Sequence, residues 1–238
     1  MKITGEAKAK SVEAMFSSIA HRYDFLNHLL SLGLDITWRK KATACFSDLR
    51  AKKILDVACG TGDLAITIAR AGDQTTEITA GDFSREMIEI GKAKIKKADL
   101  DGAVTMEFSD ALNLAYHDNS FDGVTCAFGV RNFADLDRGL SEMTRVLKPG
   151  GRMVILEFTQ PSNPVFGALY KFYFTRILPA VGGFLSGDKD AYKYLPDTVY
   201  RFPAPDKLSA LLERLGLSRV EFKPLTFGIC GIHTGVKR

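Results

Sequence analysis

Lys53-Ile54-Leu55-Asp56-Val57-Ala58-Cys59-Gly60-Thr61-Gly62-Asp63-Leu64 is the stretch that decides the fold. An apolar run ending at Asp56 reads as a buried strand, the glycines supply a tight turn, and a helix opens near Asp63. Gly60 and Gly62 lack side chains, so the backbone there can approach a ligand closely. About twenty residues on, a second apolar stretch over 78–81 ends in Asp82. That is where an α/β nucleotide-binding fold places the carboxylate that accepts from ribose hydroxyls.

Gly60-Thr61-Gly62-Asp63-Leu64-Ala65 also satisfies the loose dinucleotide pattern, which is a weak signal alone. The carboxylates decide between cofactors. Asp56 and Asp63 flank the turn, and a pyrophosphate would meet like charge in a partly desolvated site, where charge pairs interact by several kcal/mol rather than the roughly 1 kcal/mol found in water. A cationic ligand suits the same place. S-adenosyl-L-methionine carries a sulfonium and an ammonium, lacks phosphate, and still presents ribose hydroxyls to Asp82.

Outward from this stretch the chain falls into a leader (1–50) and a core (51–238) that carries an insertion at about 159–204. In the leader Val12, Met15, Phe16, Ile19 and Tyr23 recur at helical spacing, Leu26, Leu29 and Leu30 continue the apolar run, and Gly33 breaks it. The core alternates strands over 54–58, 78–82, 104–108, 121–128 and 153–158 with helices over 66–71, 85–97 and 135–147. That order predicts a mainly parallel sheet with helices on both faces. Lys148-Pro149-Gly150-Gly151 predicts a turn before the 153–158 strand. A helix over 205–215 stops at Gly216, and two strand-like stretches, 218–224 and 227–236, predict an antiparallel hairpin on the sheet edge. The insertion is rich in apolar and aromatic residues, but Lys171 and Arg176 interrupt runs too short to cross a bilayer. It reads either as a helical cap on the core or as a lid for a lipid acceptor that touches the membrane interface.

At 238 residues, 46% hydrophobic and 25% charged, the chain has the composition of a soluble globule large enough for a well-buried core. A net charge of +4 without a lysine-rich run or an aromatic RNA-binding motif argues against nucleic acid. Cys45, Cys59, Cys126 and Cys230 show no metal-ligand spacing and read as free thiols of a reducing cytoplasm, and no metal site is expected. The N-terminus has no signal-peptide run and lacks transit-peptide character.

Three further segments carry a family resemblance. The stretch from Tyr23-Asp24-Phe25-Leu26-Asn27-His28 through Gly33-Leu34-Asp35-Ile36-Thr37-Trp38-Arg39 resembles the leader motif of the menaquinone and ubiquinone biosynthesis C-methyltransferases. Arg145-Val146-Leu147-Lys148-Pro149-Gly150-Gly151 through Glu157-Phe158 resembles their second motif, and Phe128-Gly129-Val130-Arg131-Asn132 a third segment. With the glycine turn, the resemblance covers nearly the whole chain from about residue 12. It implies a class I S-adenosylmethionine-dependent methyltransferase, Rossmann-like, with a seven-stranded sheet. The implied reaction is methylation of a polyprenylated hydroquinone, demethylmenaquinol to menaquinol, with the benzoquinol of ubiquinone synthesis as the alternative. A methyltransferase for another small aromatic acceptor and a non-catalytic S-adenosylmethionine-binding assembly factor are the more distant readings. The thiols and the N-terminus point to a cytoplasmic enzyme, the net charge and the apolar insertion allow transient contact with the inner face of the membrane, and a homodimer is left open.

Cofactor-binding residues expected from turn and resemblance together are Asp56, Gly60, Thr61, Gly62, Asp82 and the pair Asp110 and Ala111 where the adenine lies. Asp110 follows a strand, so its carboxylate can accept from the adenine amino group. Two departures from the family pattern stand out: Ala127 occupies a position where some members carry serine, and Asp35-Ile36 replaces a histidine-arginine pair, leaving no imidazole base there. Ring carbon is a poor nucleophile, and ionising a phenol of pKa about 10 at neutral pH costs roughly 4 kcal/mol. Arg131 is expected to stabilise the phenolate and Asn132 to orient it. Tyr23, Asp24 and Asn27 are expected to close over the ring or relay its proton. The structural alternative for Arg131 is a salt bridge to Asp135 or Asp137. His28 and His233 are isolated in sequence and read as structural.

Overall fold

The computed structural model describes residues 24, 27–29, 31–48, 53–73, 75–161, 163–177 and 189–238. Seven strands form one sheet: β1 (Lys53–Val57), β2 (Glu77–Asp82), β3 (Val104–Phe108), β4 (Phe121–Ala127), β5 (Leu147–Phe158), β6 (Leu217–Leu225) and β7 (Cys230–Lys237), in the order β3-β2-β1-β4-β5-β7-β6. β3 through β5 run parallel, and β7 pairs antiparallel with both β5 and β6. The central strands β1 and β4 are buried along most of their length because helices cover both faces, whereas the edge strand β3 alternates. One face packs beneath α1 (Leu34–Ala44), α2 (Asp63–Ala71) and α3 (Arg85–Lys97), with Trp38, Leu64, Ile68, Ile88 and Ile95 in its core. The other lies under α4 (Leu136–Val146) and the helix Pro205–Arg214, through Leu140, Met143, Leu208 and Leu211.

Local signals set the helix starts. Ser84 caps α3 by accepting from the Met87 N–H at 3.3 Å, and Asp135 caps α4 from the Arg138 N–H at 2.9 Å. The insertion contributes α5 (Pro164–Phe172), a π-helical turn (Tyr173–Ile177) and α6 (Lys189–Arg201); Pro205–Arg214 is therefore α7.

Two expectations need correction. The turn over 148–151 does not precede the strand but lies inside β5: Phe121 pairs with Leu147 and Gly123 with Arg152, so the intervening residues bulge out of the ladder, with Gly150 at φ 77°. Helix α1 was not foreseen, because it buries Asp35, Arg39 and Thr43 beside Trp38 and Ala42, and so shows no clean apolar stripe. The leader helix expected around residues 12–23 lies outside the described residues.

The chain reverses direction across the sheet between β1 and β4. The crevice at the carboxyl ends of the strands flanking such a switch point is where open α/β sheets bind ligands. It is tight here: a Cβ added to Gly129 would lie 2.6 Å from Cys126 Sγ and 2.8 Å from Ala58 Cβ. Ala58 and Phe128, just beyond β1 and β4, both take the left-handed conformation, at φ 52° and 59°. For residues with a Cβ this is strained, and such strain concentrates at functional sites.

Candidate active site

On one side of the switch point the carboxyl ends of β1, β2 and β3 carry the glycine turn and its carboxylates. Gly60 and Gly62 have φ values of 57° and 82°, which explains glycine at both places. Asp82 locks the turn: one oxygen accepts from the Gly60 N–H at 2.7 Å, the other from the Ser84 N–H at 2.9 Å. Each oxygen keeps a lone pair for a further donor. Burial raises the Asp82 pKa, against the amides of Ser84, Gly60 and Phe83. Asp110 accepts from the Leu112 N–H at 2.8 Å, and Ala111 is half-buried beside it.

Asp56 lies behind the turn with no exposed surface and, among the described residues, no hydrogen-bond partner on either oxygen. Burial pushes its pKa up to about 8. Arg39 and the nearby Ala65 amide lower it without closing a hydrogen bond, while Asp82 and Asp63 raise it. A buried carboxylate without a donor calls for an explanation.

The leader folds onto this turn through a charge network that sequence spacing did not reveal. Thr61 Oγ1 donates to Asp24 Oδ1 at 2.6 Å, and Lys94 Nζ reaches Asp24 Oδ2 at 2.6 Å, Asp63 Oδ1 at 2.5 Å and Thr61 Oγ1 at 2.9 Å. Arg39 pairs with Asp35, which also takes Ser31 Oγ at 2.7 Å and His28 Nδ1 at 2.6 Å. Burial pushes Asp35 up, but Ser31 and Arg39 outweigh it and hold the carboxyl below its usual range. His28 is thus not isolated. Asp24 is engaged with Thr61 and Lys94 at the turn, and Asn27 joins the leader through its carbonyl, which accepts from the Ser31 N–H at 2.9 Å. Tyr23 lies outside the described residues. Among the described residues, Asp24, Asp35, Asp56, Asp63 and Asp82 face only Arg39 and Lys94 as permanent cations, so the rim suits a positively charged ligand.

Across the switch point, Arg131 sits in the short 3-10 turn Val130–Asn132 that follows β4. Its salt-bridge partner is not Asp135, which caps α4, nor Asp137, which meets Arg214. It is Glu157 at the end of β5, at 3.0 Å. The side chains are only 5% and 1% exposed. The guanidinium also donates to the Phe128 carbonyl and lies 5.5 Å over the Phe158 ring. Burial raises the Glu157 pKa, against Arg131 and the Phe158 amide. Among the described residues Arg131 Nε has no partner, nor do Asn132 Oδ1 and the hydroxyls of Tyr170 and Tyr194.

Glu157, Lys94, Arg39, Tyr170 and Tyr194 escaped the sequence reading. Glu157 alone had a local signal, as a carboxylate inside the otherwise apolar run Met153-Val154-Ile155-Leu156.

The model of the ubiE/COQ5 methyltransferase family matches residues 3–237. The chain is 46% identical over 230 residues to the ubiquinone/menaquinone biosynthesis C-methyltransferase UbiE of Geobacter sulfurreducens, covering 97% of this chain and 90% of that one. It is 46% identical over 231 residues to the demethylmenaquinone methyltransferase of Deinococcus radiodurans, covering 97% and 94%. Among solved structures it resembles a SAM-dependent methyltransferase of Thermotoga maritima with a TM-score of 0.67 at 18% identity, over 94% of this chain and 99% of that one. The [4+2]-cyclase SpnF shares the fold with a TM-score of 0.64 at 20% identity, over 83% and 80%, so the architecture alone does not fix the chemistry. The fold is that of the class I S-adenosylmethionine-dependent methyltransferases, and the chain belongs to the ubiE/COQ5 methyltransferase family.

Proposed function

We propose that this enzyme transfers a methyl group from S-adenosyl-L-methionine to a ring carbon of a polyprenylated hydroquinone, converting demethylmenaquinol to menaquinol. The observation that carries this is the pairing, across one switch point, of a carboxylate-lined glycine turn with a buried arginine whose Nε–H is unused. The names of the Deinococcus radiodurans and Thermus thermophilus relatives support the naphthoquinol, and that of the Geobacter sulfurreducens relative keeps the benzoquinol as a second reading.

The donor supplies an electrophilic methyl on a sulfonium. Asp82 holds the ribose hydroxyls, Asp110 and Ala111 meet the adenine, and Asp56 offsets the cofactor's positive charge from beneath the turn. Arg131 does not act as a bare cation, because Glu157 neutralises it. It acts through the Nε–H directed at the oxygen that becomes phenolate, a charge-assisted hydrogen bond in a site shielded from water. Asn132 orients the same ring. The activated ring carbon forms its bond to the methyl carbon as the carbon–sulfur bond breaks. The ring-carbon proton then passes to solvent and the oxygen takes one up again, so that the methylated quinol and S-adenosylhomocysteine form with the net release of one proton.

A lipid acceptor requires access from a bilayer. No helix among the described residues is long and apolar enough to cross one. On α5, however, Val165, Leu169 and Phe172 recur at i, i+4 and i+7 and stand 80%, 66% and 58% exposed, with Lys171 alongside. This face supports transient docking on the membrane surface, with the apolar residues entering the interface. Replacing Leu169 and Phe172 by serine should weaken association with anionic liposomes and raise KM for a long-tailed acceptor more than for a short-tailed one. Equal effects on both acceptors would remove α5 from the tail's path.

The central test offers the purified enzyme reduced demethylmenaquinone and reduced 2-polyprenyl-6-methoxy-1,4-benzoquinone in separate assays, with products identified by mass spectrometry. Methylated naphthoquinol is expected. Turnover of the benzoquinol alone would favour the second reading, and turnover of neither would overturn both.

A further inference from the structure

Half of the buried polar atoms without a hydrogen-bond partner among the described residues belong to one neighbourhood: Arg131 Nε, Asn132 Oδ1, Tyr170 Oη and Tyr194 Oη. Two of these come from the insertion, whose proposed part above is confined to the exposed face of α5 and leaves these buried hydroxyls without a role. Tyr170, on α5, is 7% exposed and stacks on Phe174 with ring centroids 4.9 Å apart. Phe174 meets Phe158 at 6.0 Å, and Phe158 lies beneath the Arg131 guanidinium. Tyr194 comes from α6, which packs against the turn that carries Arg131. Burial raises the pKa of both phenols, and the charge of Arg131 works against that rise in both.

A buried hydroxyl left unpaired gives up its hydrogen bonds to water and gains none in return. Phenylalanine would fill either ring's space without that cost. Two tyrosines kept unpaired beside an arginine donor and an amide acceptor form a set with a defined complement. Arg131 Nε–H only donates, Asn132 Oδ1 only accepts, and each tyrosine hydroxyl does both. A flat ring bearing two hydroxyls, one ionising and one remaining neutral, satisfies all four. A saturated lipid or a simple amine does not.

We propose that Tyr170 and Tyr194 bind the two ring hydroxyls of the acceptor, so that the insertion is a recognition element for a dihydroxylated aromatic ring and not only a cover for the tail. This rests on the hydroquinone reading above. One tyrosine shares the ionising oxygen with Arg131, and the other holds the opposite hydroxyl, fixing which ring carbon faces the methyl donor.

The test uses Tyr170→Phe and Tyr194→Phe in the full-length enzyme, with a short-tailed reduced demethylnaphthoquinone as acceptor. Each substitution should lower kcat/KM about tenfold, the effect of one lost hydrogen bond to a bound ligand, with S-adenosylmethionine affinity by calorimetry unchanged. With a mononaphthol acceptor that lacks one hydroxyl, the penalty of one of the two substitutions should vanish. Thermal midpoints without acceptor should stay level or rise, because each variant removes an unpaired group. A wild-type rate in both variants, with the wild-type enzyme active on the hydroquinone, overturns the assignment and leaves the functional reading intact. A lowered midpoint in both variants would mean that the hydroxyls are paired within the protein, and overturns it too. A wild-type enzyme inactive on every hydroquinone overturns the functional reading first.

Discussion

The two halves of the site are built on opposite principles. On the donor side the polar groups of the turn are held by the protein itself: both Asp82 oxygens accept backbone amides, and Thr61, Asp63 and Asp24 share Lys94. Among the described residues only Asp56 lacks a partner there. On the acceptor side four polar atoms of those residues are buried without one, around an ion pair removed from water. A preformed site binds its ligand without reorganising. A site with unmet hydrogen bonds recovers their cost when the right ligand arrives, and so discriminates strongly against a ligand that leaves them unmet. On the proposed reading, the donor half is the generic half and the acceptor half the selective one.

The largest effect that tests this contrast is at Arg131. Arg131→Ala leaves Glu157 as a buried carboxylate without its counter-charge, which should cost about 3–5 kcal/mol of stability. It should also lower turnover by roughly 100-fold or more. The double change Arg131→Met with Glu157→Met should recover most of the stability in urea unfolding and none of the turnover. A double variant that methylates at the wild-type rate would show that the pair only packs, and the contrast would fail.

Asp82→Ala comes next. It removes the acceptor of the Gly60 and Ser84 amides as well as the group proposed for the ribose, so S-adenosylmethionine affinity should fall on the order of 10- to 100-fold by calorimetry. Turnover at saturating donor should change far less. If affinity is unaffected, the donor half is not organised around Asp82.

The smallest effect sharpens the one exception on the donor side. The Asp56 pKa in the folded protein, pushed to about 8 by burial, exceeds its ordinary 3.8. Its stabilising contribution is thus complete below about pH 4 and is lost as pH rises through about 8. Asp56→Asn should become progressively more stable than the parent over that window. Binding of a cationic cofactor favours the ionised carboxylate, so near pH 7 it should release up to about one proton. Calorimetry in buffers of different ionisation enthalpy measures that release; its absence would leave the Asp56 charge out of cofactor binding.

The same contrast explains what could be read from the sequence. The donor half follows from residues within about thirty positions of one another, where strand, turn and carboxylate recur in fixed order. The helix Arg85–Lys97 and the strand Val104–Phe108 fell on their expected bounds, since both carry clean periodicity and, for the helix, a serine cap. Arg131 and Asn132 were legible only through resemblance. Their partners come from β5 and from two helices of the insertion, and no local pattern announces a contact made by tertiary packing. The salt bridge of Arg131 was sought nearby, at Asp135 and Asp137, when sheet register brings Glu157 from the neighbouring strand. Lys94 sits in a basic run of α3 where nothing distinguishes the one lysine that turns toward the site.

Trp38 is the only tryptophan of the chain. It is buried in α1, donates through Nε1 to Thr226 Oγ1 at 2.8 Å, lies 6.2 Å from the Phe128 ring and meets Phe158 edge-on at 6.1 Å. It therefore stands next to Arg39 of the donor-side network and against the ring beneath Arg131, a built-in optical probe with contacts to both halves. On the proposed reading, its emission should change when the donor is added and again when a quinol is added. The occupancy of each half can then be followed in one cuvette, at equilibrium or in stopped flow, without attaching a dye.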